Sequence, residues 1–120
     1  LLDEDFTDVF NPEWIGVDPT SDDVAAAYFL YHDCDYANLR WALREGRLWY
    51  PSALYSEPAL GSDIPATVIV AERDRTLRPD WSRKAARERL RVMPIEVSAG
   101  HCPHISMPEE MADLLGSAIP

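Results

Sequence analysis

The chain has 120 residues, 47% hydrophobic and 27% charged, with a formal net charge of -10. That length fits one domain and excludes two, and the composition is that of an ordinary globular protein rather than a disordered one. No apolar run approaches the ~20 residues that a membrane span needs, and the N-terminus lacks the basic-then-apolar layout of a signal peptide.

Charge is unevenly spread. Residues 1–39 carry ten acids and no Lys or Arg, whereas the rest is balanced. Such an acidic front repels phosphate backbones and argues against nucleic acid as a partner, and its plainest reading is a solvated face. The two cysteines, Cys34 and Cys102, are far apart in sequence and make no disulfide framework, so a reducing cytoplasm is the expected compartment. The start at Leu1-Leu2, without methionine, predicts a boundary rather than a natural beginning.

Residues 1–20 mix Asp, Pro, Asn and Gly with Phe6, Phe10, Trp14 and Ile15, the pattern of irregular structure that still packs on something. A short helix follows in "TSDDVAAAYFLYHD", with Thr20 or Ser21 as N-cap and Val24, Ala27, Tyr28 and Tyr31 at helical spacing. Asp35 caps a second helix whose apolar face is Leu39, Ala42 and Leu43, and Gly46 is its stop. Residues 48–65, with Pro51, Pro58, Gly61 and Pro65, read as a connecting segment.

At Pro65 the pattern changes. "ATVIV" is a continuous β-branched run, expected as a strand buried on both faces of a parallel sheet. Pro79 opens a helix, "PIEVSA" is a second strand, and "SMPEEMADLL" is a last helix. In that last helix Ser106 and Glu109 are read as a capping box, with Met111, Leu114 and Leu115 as the buried stripe. The fold class is therefore α/β: helices, then a β-α-β-α unit with parallel strands.

Functional loops of such sheets lie beyond the carboxyl ends of the strands. Asp74 follows the first strand and His101 the second, so both loops open on one edge and the two side chains can meet. A carboxylate on an imidazole Nδ1 fixes the ring's tautomer and stabilises its protonated form, which is what a general base requires. Asp80 lies nearby but better serves the first turn of its helix, and His104 is accounted for by the following turn. "HCPH" (101–104) with "HDCD" (32–35) offers ligand types that zinc accepts, yet neither has a zinc-site spacing, so no metal is expected.

"IPATVIVAERDRTLRP" followed by "IEVSAGHCPHISMPEEMADLL" resembles the C-terminal end of α/β-hydrolase-fold enzymes, and "AAAYFLYHDCDYANLRWALREGRLWYPSALYSEP" is similar to the lid of the branch containing methylesterases and hydroxynitrile lyases. The resemblance implies a partial α/β-hydrolase fold, with residues 1–64 as lid helices and return segment and 65–120 as the end of the core. It implies Asp74 as triad acid and His101 as triad base, with Cys102 at the pocket edge and no cofactor. Tyr28, Phe29, Tyr31, Trp41, Trp49 and Tyr50 would then either line an apolar pocket or pack their helices.

One departure is decisive. The superfamily carries its nucleophile in a G-x-S-x-G elbow, and no serine of this chain stands in that context. The expectation is the second half of a serine hydrolase of about 230–280 residues acting on small carboxylic esters, with the nucleophile in a missing N-terminal half. Alone, the chain is expected to lack esterase activity and to aggregate, oligomerise or depend on that half. The alternatives are a non-catalytic binding module of the same fold and a lyase that uses the triad for C–C or cyanohydrin cleavage.

Overall fold

The structure, a computed structural model, describes residues 5–19, 21–47 and 65–118. Three helices come first: α1 (Phe6–Val9), α2 (Asp23–Phe29) and α3 (Tyr36–Glu45). The second part runs β1 (Ile69–Ala71), α4 (Pro79–Arg89), β2 (Ile95–Val97), α5 (Pro103–Ser106) and α6 (Pro108–Ala118). The expected connecting segment lies almost wholly outside the described residues, as do Thr20, Trp49 and Tyr50.

The β-α-β-α order is present, and β1 and β2 pair in parallel with Ile69 opposite Ile95 and Ala71 opposite Val97. Val70 is buried at 2% exposure, but its neighbours are only half-buried and Ile95 is 36% exposed. The expectation of a strand covered on both faces is thus met only at Val70. Among the described residues the sheet has two strands, too few to be covered on all sides. Helix α4 is tied to β2 by the Arg83 guanidinium, which forks onto Glu96 at 2.9 and 2.7 Å and also reaches Asp80 at 2.7 Å.

The first helices differ from expectation in cap and phase. Asp22, rather than Thr20 or Ser21, caps α2, accepting the Val24 and Ala25 N–H at 2.8 and 3.1 Å. The Ser21 hydroxyl instead bonds back to Asp18. Ala26, Phe29 and Leu30 face inward, while Val24 is 78% exposed and Tyr28 lies outward. The run is apolar all round, so two faces satisfy the i, i+3, i+4 rule; packing against α3 selects the one with Ala26, Phe29 and Leu30, and of the expected set only Tyr31, just past the helix, is buried. Helix α3 follows the sequence closely: Asp35 accepts the Asn38 N–H at 2.8 Å, Ala42 is buried between half-buried Leu39 and Leu43, and Gly46 is the C-cap.

The core cluster is Ala26, Leu30, Tyr31 and Ala42, with Trp14, Leu39, Cys34, Cys102 and Ile105 packed on it. Apolar matter from α2, α3 and α5 is thereby shared, so the segment after β2 is held by the helices that precede the sheet. Residues 5–19 are less irregular than expected: α1 forms, Phe10 bridges Leu77 in antiparallel fashion, and the Trp14 ring meets Phe29 edge-on at 5.3 Å.

The expected capping box does not form. Ser106 ends α5, its hydroxyl is buried without a hydrogen-bond partner among the described residues, and α6 begins only at Pro108. The cause is Pro108, whose ring forces the preceding Met107 out of helical conformation (φ -140°, ψ 59°). In α6, Met111 is buried, Leu114 is half-buried and Leu115 is 52% exposed, so the stripe is narrower than read.

Candidate active site

Both loops beyond the parallel strands close on each other. Past β1, the Glu72 N–H donates to Val97 O and the Arg73 N–H to Ala99 O, each at 3.0 Å, so the ladder continues beyond the strand ends. The chain then turns at Asp74, whose Oδ1 accepts the backbone N–H of Thr76 at 2.7 Å and of Leu77 at 3.1 Å. An Asp two and three residues before its own donors makes a local turn that needs no outside support, which is why this residue type suits the position.

Outside support is nevertheless present. Asn11 donates its backbone N–H to Thr76 O at 2.9 Å and its side-chain amide to Arg75 O at 2.8 Å. The Arg75 guanidinium lies 4.4 Å over the Tyr28 ring and reaches Tyr28 O. The acidic loop is therefore backed by the N-terminal segment on one side and α2 on the other.

His101 comes four residues after Val97, in a buried Ala99-Gly100 turn. Its Nδ1 lies 2.9 Å from Asp74 Oδ2 and 3.1 Å from Oδ1. The side chains are 27% and 10% exposed respectively, so the carboxylate is sheltered while the ring keeps an open edge. A carboxylate can only accept, so Nδ1 carries a proton, and in the neutral ring that leaves the lone pair on Nε2. Such a ring can take a proton at Nε2, with the carboxylate stabilising the resulting charge.

The polar clusters "HDCD" and "GHCPH" also meet, though not as the metal site weighed from the sequence. Asp33 Oδ2 accepts the Gly100 N–H at 2.6 Å, and His32 Nε2 lies 3.0 Å from Arg73 O. Among the described residues no three His, Cys, Asp or Glu side chains gather as they would around a metal ion. The thiols are shielded: burial pushes Cys102 up to about 12, with the nearby Cys34, Asp74 and Asp33 acting in the same direction. Burial likewise raises Cys34 to about 11, with further contributions from Asp33 and Asp35. Neither is ionised near neutrality, so neither serves as a nucleophile there.

Asp80 stands in the first turn of α4, as expected, and pairs with Arg83, whereas His104 lies exposed in the last turn of α5 rather than before a Ser106 cap. Of the aromatics, Phe29 and Tyr31 belong to the core, Tyr28 packs under Arg75, and Trp41 is 51% exposed. A cavity of about 240 Å³ between α2 and α3 is walled by Tyr31, Ala42, Asp23 and Arg47 among others, and by neither Asp74 nor His101. The contacts of His32 and Asp33 went unread in the sequence. Their one signal was two adjacent polar residues between apolar helices.

A parallel β-α-β unit that presents a hydrogen-bonded carboxylate and imidazole beyond its strand ends is the geometry of the closing segment of an α/β-hydrolase core. Residues 2–114 match the alpha/beta hydrolase family, and the chain belongs to that family. It is also 32% identical over 76 residues to a protein of Phoma sp. (strain ATCC 20986 / MF5453) described as probable hydrolase R7; the match takes in 55% of this chain and 30% of that protein. The chain thus spans under a third of the length of the curated relative it matches. No solved structure matches. No helix among the described residues is long and apolar enough to cross a membrane.

Proposed function

We propose that this chain supplies the acid and the base of a Ser-His-Asp triad in a hydrolase of small carboxylic esters. The serine and the oxyanion-hole donors come from residues outside these 120, since no G-x-S-x-G occurs within them. The observation that carries the reading is the 2.9 Å contact of His101 Nδ1 with a carboxylate that is only 10% exposed, made between the loops that follow two parallel strands. Membership of a hydrolase family agrees with it.

In this mechanism His101 Nε2 takes the proton of the serine hydroxyl as its oxygen attacks the ester carbonyl. The same nitrogen returns that proton to the departing alcohol, leaving an acyl-enzyme; it then takes a proton from the water that attacks the acyl carbon and passes it to the departing serine oxygen, which releases the acid and restores the serine hydroxyl. Asp74 holds the ring and stabilises the imidazolium in each half-reaction. No cofactor takes part.

The test is hydrolysis of a panel of short-chain esters by the complete gene product and by its His101→Ala and Asp74→Asn variants. The reading requires turnover by the parent and its collapse in His101→Ala. Equal turnover in both, or a parent that cleaves cyanohydrins and no ester, rejects it.

A further inference from the structure

His32 and Asp33 are consecutive residues in the turn between α2 and α3, 41 and 67 positions away in sequence from the groups they touch. Each touches the residue immediately before one member of the acid–base pair. His32 Nε2 lies 3.0 Å from the carbonyl of Arg73, which precedes Asp74. Asp33 Oδ2 lies 2.6 Å from the N–H of Gly100, which precedes His101. A carbonyl can only accept, so the His32 ring donates from Nε2, and an N–H can only donate, so the carboxylate accepts.

We propose that His32 and Asp33 form a positioning clamp that holds the Asp74 and His101 loops at hydrogen-bonding distance, making the pair depend on the α2–α3 turn. The inference rests on the acid–base role proposed above.

Three features argue for more than routine packing. First, both contacts fall immediately past the last bond of the extended ladder, Arg73 N–H to Ala99 O, on the Arg73 carbonyl and the Gly100 N–H, which no strand partner takes up. Second, the approach is close: a Cβ on Gly100 would stand 2.6 Å from Asp33 Oδ1 and 2.7 Å from His32 Nε2, so any larger residue there would push these side chains from their present places. Third, Asp33 Oδ1 is buried without a hydrogen-bond partner among the described residues. A buried carboxylate oxygen is costly to leave unpaired, and a neutral residue would hold a purely structural turn at lower cost. What the charge adds is a shorter, stronger bond to the Gly100 N–H, where a small displacement would swing the His101 ring off Asp74.

The experiment uses the complete gene product with 15N-labelled histidine and glycine. The His101 Nδ1–H resonance, the hydrogen exchange of the Gly100 amide, and kcat and KM for an ester substrate are followed in parent, Asp33→Ala, Asp33→Asn, His32→Ala and Asp74→Asn. In Asp33→Ala the clamp predicts Gly100 exchange faster by about tenfold or more, a weakened Nδ1–H resonance, and a fall in kcat with KM little changed. Asp33→Asn keeps a neutral acceptor and falls between the two; should the alanine variant not fold, it decides alone, through several-fold faster exchange and lower kcat. His32→Ala weakens the same resonance from the other side.

Parental exchange, resonance and kcat in the folded Asp33 and His32 variants overturn the clamp. Its failure is separable from that of the triad: a resonance that vanishes in Asp74→Asn but ignores Asp33 and His32 rejects the clamp alone, whereas activity that survives His101→Ala rejects the triad.

Discussion

Asp74 does two jobs with one carboxylate: it meets His101 Nδ1 at 2.9 Å through Oδ2, and through Oδ1 it closes its own turn on the N–H groups of Thr76 and Leu77. The two jobs separate under mutation. Asp74→Asn keeps an oxygen for the turn but removes the negative charge that fixes the His101 tautomer, so the complete enzyme should stay folded and lose about 10⁴ in kcat. Asp74→Ala should in addition lose about 1–3 kcal/mol of stability, because the buried Thr76 N–H is left unpaired. Urea denaturation of both variants, beside their ester kinetics, checks the separation.

Gly100→Ala tests the closest approach in the structure. The added methyl meets Asp33 Oδ1 and His32 Nε2 below 3 Å; the ring nitrogen cannot withdraw without giving up its bond to Arg73 O, and displacing Oδ1 disturbs the carboxylate whose Oδ2 holds the Gly100 N–H. A loss of about 1–3 kcal/mol is expected, with activity reduced beyond the change in folded fraction. A denaturation midpoint equal to that of the parent would show that the turn has room.

The thiols should be inert until the chain opens. With Cys102 raised to about 12 from 9.0, its thiolate fraction near neutral pH falls about a thousandfold below that of an ordinary cysteine, and Cys34 follows at about 11. Alkylation should therefore be slow in the native protein and fast in urea. Raised folded-state values also mean that the unfolded chain loses its thiol protons first. Stability should accordingly be unaffected by the thiols below pH 9 and decline above it, up to about pH 12.

At the other end of the scale, hydrogen bonding to Arg83 lowers the pKa of Glu96. A depressed carboxyl contributes stability above its unfolded value of about 4.5 and loses it as pH falls. Both groups are exposed enough for salt to screen them, so Arg83→Ala should blunt the acid limb of the stability curve only modestly and less at high ionic strength. A stability–pH profile at two salt concentrations reads this directly.

How much of this was legible depended on how local the signal was. Asp35, Gly46 and Pro79 act within a turn of where they stand, and each does what its residue type dictates. The Asp74–His101 contact was also readable, because parallel strands deliver both loops to one edge. The inward face of α2 was not: an apolar run fixes no phase, and only packing on α3 turned Phe29 in and Val24 out. Ser106 was misread because Pro108 acts backward on Met107, displacing the helix start by one residue. The contacts of His32 and Asp33 join groups more than 40 residues apart and left no periodic trace.

Fluorophosphonate labelling of the complete gene product, parent against His101→Ala, tests the central claim most directly. The account predicts a single labelled serine within a G-x-S-x-G sequence, with labelling abolished when His101 is replaced. Labelling at the parental rate in His101→Ala, or a parent that is folded and takes no label, would contradict it.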